Sequence, residues 1–204
     1  TGVTTLTDVG STYLGITSNI GTTSTDLVVS DNTVGATFTY KASAVTGTAD
    51  SLNLKLANAT GNGVTTITGA IETLNLTSST SANAVRLDSD ATTLNISGSE
   101  DLTLVAASTV LNLTTVVDAS AATGAITLAH DHTGTSAVTI TGGSGNDDLT
   151  ASGGTTATDT VSGGAGDDTI TFTTDLADAD VINGGAGTDT LVSTAALLSG
   201  LTTA

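Results

Sequence analysis

The sequence contains no cysteine, proline, methionine or tryptophan, and aromatic residues make up only 2% of its 204 positions. The lack of cysteine is compatible with any compartment. The lack of proline leaves every backbone N–H free to join a β-ladder. A globular core normally relies on large side chains, so this core has to be built from leucine, isoleucine, valine and alanine. The interior of a narrow solenoid, a stack of small aliphatic side chains, meets that restriction.

Basic residues are almost absent as well. Lys41, Lys55 and Arg86 stand against 20 acidic residues, and the formal net charge is −17. Binding to nucleic-acid phosphates needs lysine and arginine, so the composition excludes nucleic acid as a natural partner. The imbalance is greatest in residues 142–191, which hold nine aspartates and no basic residue. Such a segment repels itself unless cations neutralise it.

The sequence also lacks long apolar runs and catalytic motifs. No run reaches the ~18 residues of a membrane-spanning helix, and no charged segment followed by an apolar stretch opens the chain. We therefore expect a soluble polypeptide without a transmembrane segment or a visible cleavable signal, which could be a fragment of a longer protein. No H-E-x-x-H, G-x-S-x-G or G-x-x-x-x-G-K-[ST] sequence occurs. These absences predict that the chain is not an enzyme.

Short apolar–polar–apolar triplets recur from about residue 50 onwards. Four of them, Leu-Asn-Leu or Leu-Asn-Ile, begin at residues 52, 74, 94 and 111, with spacings of 22, 20 and 17. The others are Val85-Arg86-Leu87, Leu102-Thr103-Leu104, Ile126-Thr127-Leu128 and Val138-Thr139-Ile140. A two-residue period is typical of a half-buried strand. Short strands separated by serine, threonine, glycine and aspartate predict an all-β, right-handed parallel β-solenoid (β-helix).

The strongest pattern is a nonapeptide of the form G-G-x-G-x-D-x-U-x, in which U is a large aliphatic residue. It begins at Gly142, at Gly163 and at Gly184, so the spacing is 163 − 142 = 21 and 184 − 163 = 21. Three intact copies at one period are not a chance feature of a glycine-rich chain. The constant period predicts that each coil of the solenoid contains 21 residues here, with the three turns stacked on one edge.

The residue types in the nonapeptide favour calcium binding. Glycine allows sharp turns with φ > 0, and without a Cβ the main-chain carbonyls can converge on one point. Calcium takes six to eight oxygen ligands from carbonyls and carboxylates, more than one turn can offer. Asp147, Asp168 and Asp189 are expected to form a column, and three stacked turns enclose two gaps. We therefore predict two calcium ions, with Asp168 serving both gaps.

The opposite edge of the same coils is less regular. Segments 151–162 and 172–183 align without gaps, which pairs Asp159 with Asp180 and Val161 with Ile182. Neither segment keeps the full nonapeptide. Asp159 and Asp180 are candidate ligands, and Asp180 with Asp175 and Asp178 could hold a further ion. The alternative is that these are solvated loop carboxylates.

The three nonapeptides resemble the RTX repeat family, whose members leave Gram-negative bacteria by type I secretion. The resemblance implies that the solenoid ends in a calcium-binding β-roll, with ions held by turn carbonyls and the sixth-position aspartate. The ligands that it implies are Gly142, Gly143, Gly145, Asp147, Gly163, Gly164, Gly166, Asp168, Gly184, Gly185, Gly187 and Asp189. The family's repeats usually follow one another without interruption, whereas alternate turns are degenerate here.

Within that family, a chain rich in threonine, alanine, serine and glycine, with a long strand-rich region before the repeats, is most similar to bacterial surface-layer proteins. The resemblance implies a structural, extracellular protein that assembles laterally with copies of itself into a calcium-stabilised lattice. Outer-membrane polysaccharide could be a partner through parts outside this chain. The alternatives are a calcium-rigidified module of a secreted adhesin and the non-catalytic part of a secreted hydrolase.

The patterns divide the chain into four segments. Residues 1–50 form a poorly legible β-rich segment, 51–140 a Thr/Ala/Leu-rich β-solenoid, 141–192 the RTX β-roll and 193–204 a tail. Acceptor triplets for N-glycosylation begin at Asn58, Asn75, Asn95 and Asn112, but an outward-facing or turn-lining asparagine row explains them better. His130 and His132 could share a strand face and a metal, although a solvated turn is the simpler interpretation.

Overall fold

The computed structural model describes residues 5–10, 19–20, 26–61, 63–106, 114–131, 135–152, 157–172, 176–177 and 179–193. These residues contain eighteen β-strands and no helix. The strands are β1 (Thr5–Val9), β2 (Asn19–Ile20), β3 (Asp26–Ser30), β4 (Thr37–Tyr40), β5 (Ser51–Ala57), β6 (Val64–Thr68), β7 (Thr73–Ser79), β8 (Asn83–Ser89), β9 (Thr93–Gly98), β10 (Leu102–Ala106), β11 (Val116–Ala122), β12 (Ile126–Asp131), β13 (Thr139–Thr141), β14 (Asp148–Ser152), β15 (Thr160–Ala165), β16 (Thr169–Phe172), β17 (Val181–Ala186) and β18 (Thr190–Val192).

The strands alternate between two parallel sheets. The odd-numbered strands form one nine-stranded sheet, here called sheet A, and the even-numbered strands form a second nine-stranded sheet, sheet B. Each coil contributes one strand to each sheet, and each strand pairs in parallel with the corresponding strand one coil away. The chain is therefore an all-β parallel solenoid, which confirms the predicted fold class. In the described part of the chain, no helix is long and apolar enough to cross a membrane.

Alternation along each strand builds the core between the two sheets. In β5, Leu52, Leu54 and Leu56 are each at most 1% exposed, whereas Asn53 and Lys55 face outward and are exposed. The buried aliphatic residues of successive coils form one contiguous cluster, to which Phe38 and Phe172 add the largest side chains. Small aliphatic residues therefore fill the interior, as the composition predicts.

The register confirms three of the four Leu-Asn-Leu rows. Leu52 pairs with Leu74, and Leu74 pairs with Leu94. Leu94 in turn pairs with Val117 of β11 and not with the fourth triplet, which begins at residue 111. That triplet lies outside the described residues. The coil between β9 and β11 is thus 117 − 94 = 23 residues long, and the shorter spacing of 17 was a coincidence of composition.

The asparagines of these rows face outward on sheet A, as the sequence interpretation preferred. Asn95 donates a hydrogen bond to Asn75, and Asn75 donates one to Asn53. Asn112 lies outside the described residues. The interpretation of His130 as part of a solvated turn is wrong, because His130 lies in β12 and is buried. It is 1% exposed at the inner side of β12, with Nε2 3.0 Å from the carbonyl oxygen of Thr114. His132 lies outside the described residues.

Candidate metal centre

The three glycine-rich turns lie where the chain passes from sheet A to sheet B. They connect β13 to β14, β15 to β16 and β17 to β18. The strands that follow them are in register at 21 residues, so Leu149 pairs with Ile170 and Ile170 with Leu191. Leu149 and Ile170 are buried beneath the turns. This aliphatic position fixes the height of each turn, so equivalent residues of the three nonapeptides stack on one another.

The three aspartates stand in the predicted column and are connected through the backbone. The amide of Asp147 donates to Oδ1 of Asp168 at 2.8 Å, and the amide of Asp168 donates to Oδ1 of Asp189 at 3.1 Å. In the same way, the amide of Ile126 donates to Oδ1 of Asp147 at 2.8 Å. One oxygen of each carboxylate therefore joins its own coil to the coil before it.

The second carboxylate oxygen faces the gap to the next coil. A methyl group added at Gly163 would collide with Oδ2 of Asp168 and with the carbonyl oxygen of Gly184. One added at Gly142 would meet Oδ2 of Asp147 and the carbonyl oxygen of Gly163. Each gap between consecutive turns thus has a carboxylate oxygen from the turn that comes first in the chain and a glycine carbonyl from the turn that follows it. Only glycine leaves the space between them open.

The remaining glycines bring further carbonyls to the same edge. Gly164 (φ +108°) approaches the carbonyl oxygen of Gly143, and Gly185 (φ +106°) approaches that of Gly164. Gly166 and Gly187, which also have positive φ, approach the carbonyl oxygens of Gly145 and Gly166. L-residues rarely adopt this backbone conformation, so the second and third turns require glycine both for φ and for space, and the first turn requires it for space. All twelve residues implied by the family resemblance therefore lie in the three stacked turns.

The carboxylates have properties that fit a cation. Asp168 is 1% exposed, and its Oδ2 has no hydrogen-bond partner. Burial raises the pKa of Asp168 above the ordinary aspartate value, against the hydrogen bond from Asp147, and the charges of Asp189 and Asp167 raise it further. Burial also raises the pKa of Asp147, although the amides of Ile126 and Gly143 oppose the shift. A buried carboxylate with a free oxygen and like-charged neighbours is stabilised in its charged form by a positive partner.

The donor set selects a hard cation. Among the described residues, no three histidine, aspartate or glutamate side chains converge on one point, so carbonyl oxygens have to provide most of the ligands. Oxygen-only coordination with many carbonyls suits calcium, whereas zinc prefers nitrogen and sulfur ligands. When bound, calcium supplies the positive charge that residues 142–191 otherwise lack. The residues present therefore fit the predicted ion.

The opposite edge repeats the capping arrangement. Asp159 and Asp180 are neighbours in consecutive coils, as predicted, because the amide of Asp159 donates to Oδ1 of Asp180 at 2.9 Å. The amide of Ala177 donates to Oδ2 of Asp180 at 2.7 Å, and the amide of Val138 donates to Oδ1 of Asp159 at 2.8 Å. Backbone amides thus engage both oxygens of Asp180. Calcium at this edge stays a prediction, and Asp175 and Asp178 lie outside the described residues.

The structure adds two features that the sequence analysis missed. The first is a degenerate turn one coil before the first nonapeptide, whose Ala119 and Ala122 carbonyl oxygens face the open side of Gly143. Counting back 21 residues from Gly142 would have located it, although of the three motif glycines it keeps only the one at 124. The second is a ladder at the fifth position, where Oδ1 of Asn146 accepts the amide of Asp167 at 2.9 Å.

Comparison with known families agrees with this geometry. A family model described as the RTX calcium-binding nonapeptide repeat (4 copies) matches residues 132–156, 153–171 and 174–195. The matched residues are RTX calcium-binding repeats. They contain all three stacked turns and most of the degenerate segments between them, and RTX repeats bind calcium. No curated protein matches the chain at a significant level.

Proposed function

We propose that this RTX protein is a structural component of a bacterial surface layer, in which calcium holds the solenoid rigid and copies of the chain assemble laterally. The observation that carries the proposal is the continuity of the two nine-stranded sheets, which connect the calcium-binding coils to the preceding coils without interruption. A lattice subunit needs a stiff body with a fixed shape, and a continuous two-sheet solenoid supplies one.

The proposal also concerns what the protein does not do. The chain acts by assembly rather than by catalysis, and its place is outside the cell on the surface. Its outer face on sheet A is polar, with the stacked amides of Asn53, Asn75 and Asn95 along it. Such a face can form many weak contacts with another copy. Outer-membrane polysaccharide, reached through parts outside this chain, remains the proposed anchor.

Electron microscopy of the purified protein tests the proposal. Samples in millimolar calcium are compared with samples in the same concentration of magnesium, which has the same charge but demands a smaller, octahedral site. Ordered two-dimensional sheets in calcium alone are the expected result. Monodisperse single particles in calcium, at all protein concentrations, would contradict lateral assembly and would favour the adhesin alternative.

A further inference from the structure

The coils before the calcium repeats use a different corner. At the passage from sheet A to sheet B, Asp31, Asn58 and Thr80 have φ values of +48°, +58° and +76°. Nδ2 of Asn58 donates to Oδ1 of Asp31 at 2.7 Å, and Oγ of Ser81 donates to Oδ1 of Asn58 at 3.0 Å. Aspartate and asparagine tolerate this conformation because their side chains form local hydrogen bonds. These corners therefore connect neighbouring coils through side chains other than the aspartates that line the glycine turns.

A second set of amides connects the same coils on the outer face of sheet A. Nδ2 of Asn53 donates to Oδ1 of Asp26 at 2.9 Å, Asn75 donates to Asn53 at 3.0 Å, and Asn95 donates to Asn75 at 2.8 Å. We call Asp26, Asn53, Asn75 and Asn95 the asparagine ladder. It links four consecutive coils and ends on a carboxylate that accepts. Two of the bonds join neutral amides, and in the third an amide donates to the carboxylate of Asp26, so the ladder needs no cation.

Several buried polar groups of these coils are satisfied within the protein, although the hydroxyls of Tyr40 and Thr65 and Oδ2 of Asp50 have no hydrogen-bond partner. Asn83 is 2% exposed, and its Oδ1 accepts the amide of Ala59 at 2.8 Å. Its Nδ2 donates to Oγ of Ser78 at 2.8 Å and to the carbonyl oxygen of Ser81 at 2.7 Å. On the other edge, Oε2 of Glu72 accepts the amide of Asp50 at 2.8 Å. In the calcium-binding coils such backbone amides are accepted by the charged side chains of Asp147, Asp168 and Asp189. Asn83 accepts the corresponding amide without carrying a charge.

Charge separates the two regions further. Residues 26–106 contain six aspartates and two glutamates with two lysines and one arginine, a net charge of −5, over 81 positions. Residues 142–191 contain nine aspartates and no basic residue over 50 positions. Self-repulsion therefore opposes folding of the second region more strongly than folding of the first.

From these contacts we infer that residues 26–106 keep their solenoid fold without calcium and serve as the template on which the calcium-binding coils form. The coil of β11 and β12 is the junction. The carbonyl oxygen of Ala122 accepts the amide of Ser144 at 3.1 Å, and the amide of Ile126 donates to Oδ1 of Asp147 at 2.8 Å. This coil pairs with β9 and β10 of the first region and presents both an acceptor and a donor to the first nonapeptide. The template role rests on the proposed function, in which calcium holds the coils of residues 142–191 rigid.

Hydrogen exchange on the full-length chain, followed by mass spectrometry, tests the inference. In chelator, peptides covering β5, β7 and β9 should stay protected, and peptides covering β15 to β18 should exchange rapidly. Calcium should protect the second group and leave the first unchanged. Rapid exchange of β5, β7 and β9 in chelator would overturn the inference. Protection of β15 to β18 in chelator would instead contradict calcium-dependent folding, so the two failures are distinguishable.

A matched pair of variants separates the two regions. Asn75→Ala breaks the centre of the asparagine ladder and should increase exchange of β5, β7 and β9 in chelator several-fold. Asp168→Ala should leave that protection at the wild-type level while it weakens the response of β15 to β18 to calcium. If Asp168→Ala in chelator also removed protection from β7, the first region would depend on the second and the template order would be wrong.

Discussion

At the scale of single residues, the sixth-position aspartates divide their two oxygens between two tasks. Oδ1 of Asp147, Asp168 and Asp189 accepts an amide from the preceding coil. Oδ2 of Asp147 and Asp168 faces a glycine carbonyl of the following coil. A hydrogen bond to a charged group contributes about 1.5–3 kcal/mol, and an unmet buried charge costs more. Each aspartate therefore affects coil stacking and cation binding together.

Asp168→Ala should weaken calcium binding more than Asp147→Ala or Asp189→Ala. Asp168 affects both gaps: its Oδ2 faces the gap to Gly184, and its Oδ1 holds the amide of Asp147, whose own Oδ2 faces the gap to Gly163. Loss of the charge-assisted hydrogen bond alone corresponds to about tenfold in affinity or more. Titration calorimetry on the three variants gives the comparison, and equal losses would contradict the shared column. Asp168→Asn is the control, because its amide oxygen can still accept from Asp147.

Calcium-free protein should become more stable as the pH falls from neutrality towards the raised pKa values of Asp147 and Asp168. The pKa values of Asp147 and Asp168 are raised by burial, so the folded state binds protons more tightly than the unfolded chain. Their contribution is greatest below the ordinary value of 3.8 and is lost as the pH rises through the raised values. Hydrogen bonds lower the pKa values of Asp31 and Asp118, so their contribution to stability is lost only when the pH falls below the ordinary value of 3.8.

Thermal unfolding of protein freed of calcium on a chelating resin, followed by circular dichroism, measures this effect. The pH is kept above the isoelectric point of about 4.1, because the protein would aggregate at that pH. The Asp147→Asn/Asp168→Asn double variant should show a flatter dependence. With calcium present the sign should reverse, because calcium competes with protons for the same carboxylates. If the melting temperature of the calcium-free protein decreased as the pH was lowered, groups other than Asp147 and Asp168 would dominate the pH dependence of stability.

At the scale of elements, the glycine turns are constrained by both conformation and space. Gly164→Ala places a methyl group against the carbonyl oxygen of Gly143 at a φ of +108°. Gly47 has a similar φ of +125°, but nothing lies within 4 Å of a methyl group there. Gly47→Ala therefore measures conformational strain alone, about 1–3 kcal/mol. Gly164→Ala should cost more than this in chemical denaturation and should also reduce calcium affinity, whereas equal costs would show that the site has room.

The same elements show what the sequence could predict. The nonapeptide has a fixed period and a mandatory glycine pattern, so it predicted the turns, the 21-residue register and the aspartate column. Apolar–polar–apolar triplets predict strands but not which strands pair, because every such triplet has the same two-residue period. The pairing of Leu94 with Val117, which belongs to no Leu-Asn triplet, could therefore not be predicted. The cap from Asp147 to Ile126 was also missed, since it depends on a coil without a motif.

At the scale of the whole molecule, the two nine-stranded sheets contain regions with different requirements. The first coils stack Leu52, Leu74 and Leu94 in the core and connect their outer faces through neutral amides. The last coils stack glycine turns and aspartates with no basic residue. Glycine loses more backbone freedom on folding than any other residue, so these coils carry an entropic cost in addition to their charge. A bound cation has to offset both.

Calcium should therefore control the folding of the last coils. Two sites, each at about 100 times its dissociation constant, would stabilise the folded state by about 5 kcal/mol, which is comparable to the whole stability of a small domain. Far-UV circular dichroism of the full-length chain should show a partial β spectrum in chelator and a cooperative gain of β signal in millimolar calcium. Magnesium at the same concentration should give a smaller gain, and Asp168→Ala should move the calcium midpoint upwards. A β-rich spectrum that chelator leaves unchanged would mean that the metal occupies a fold already complete without it, and the repeats would then not act as a folding switch.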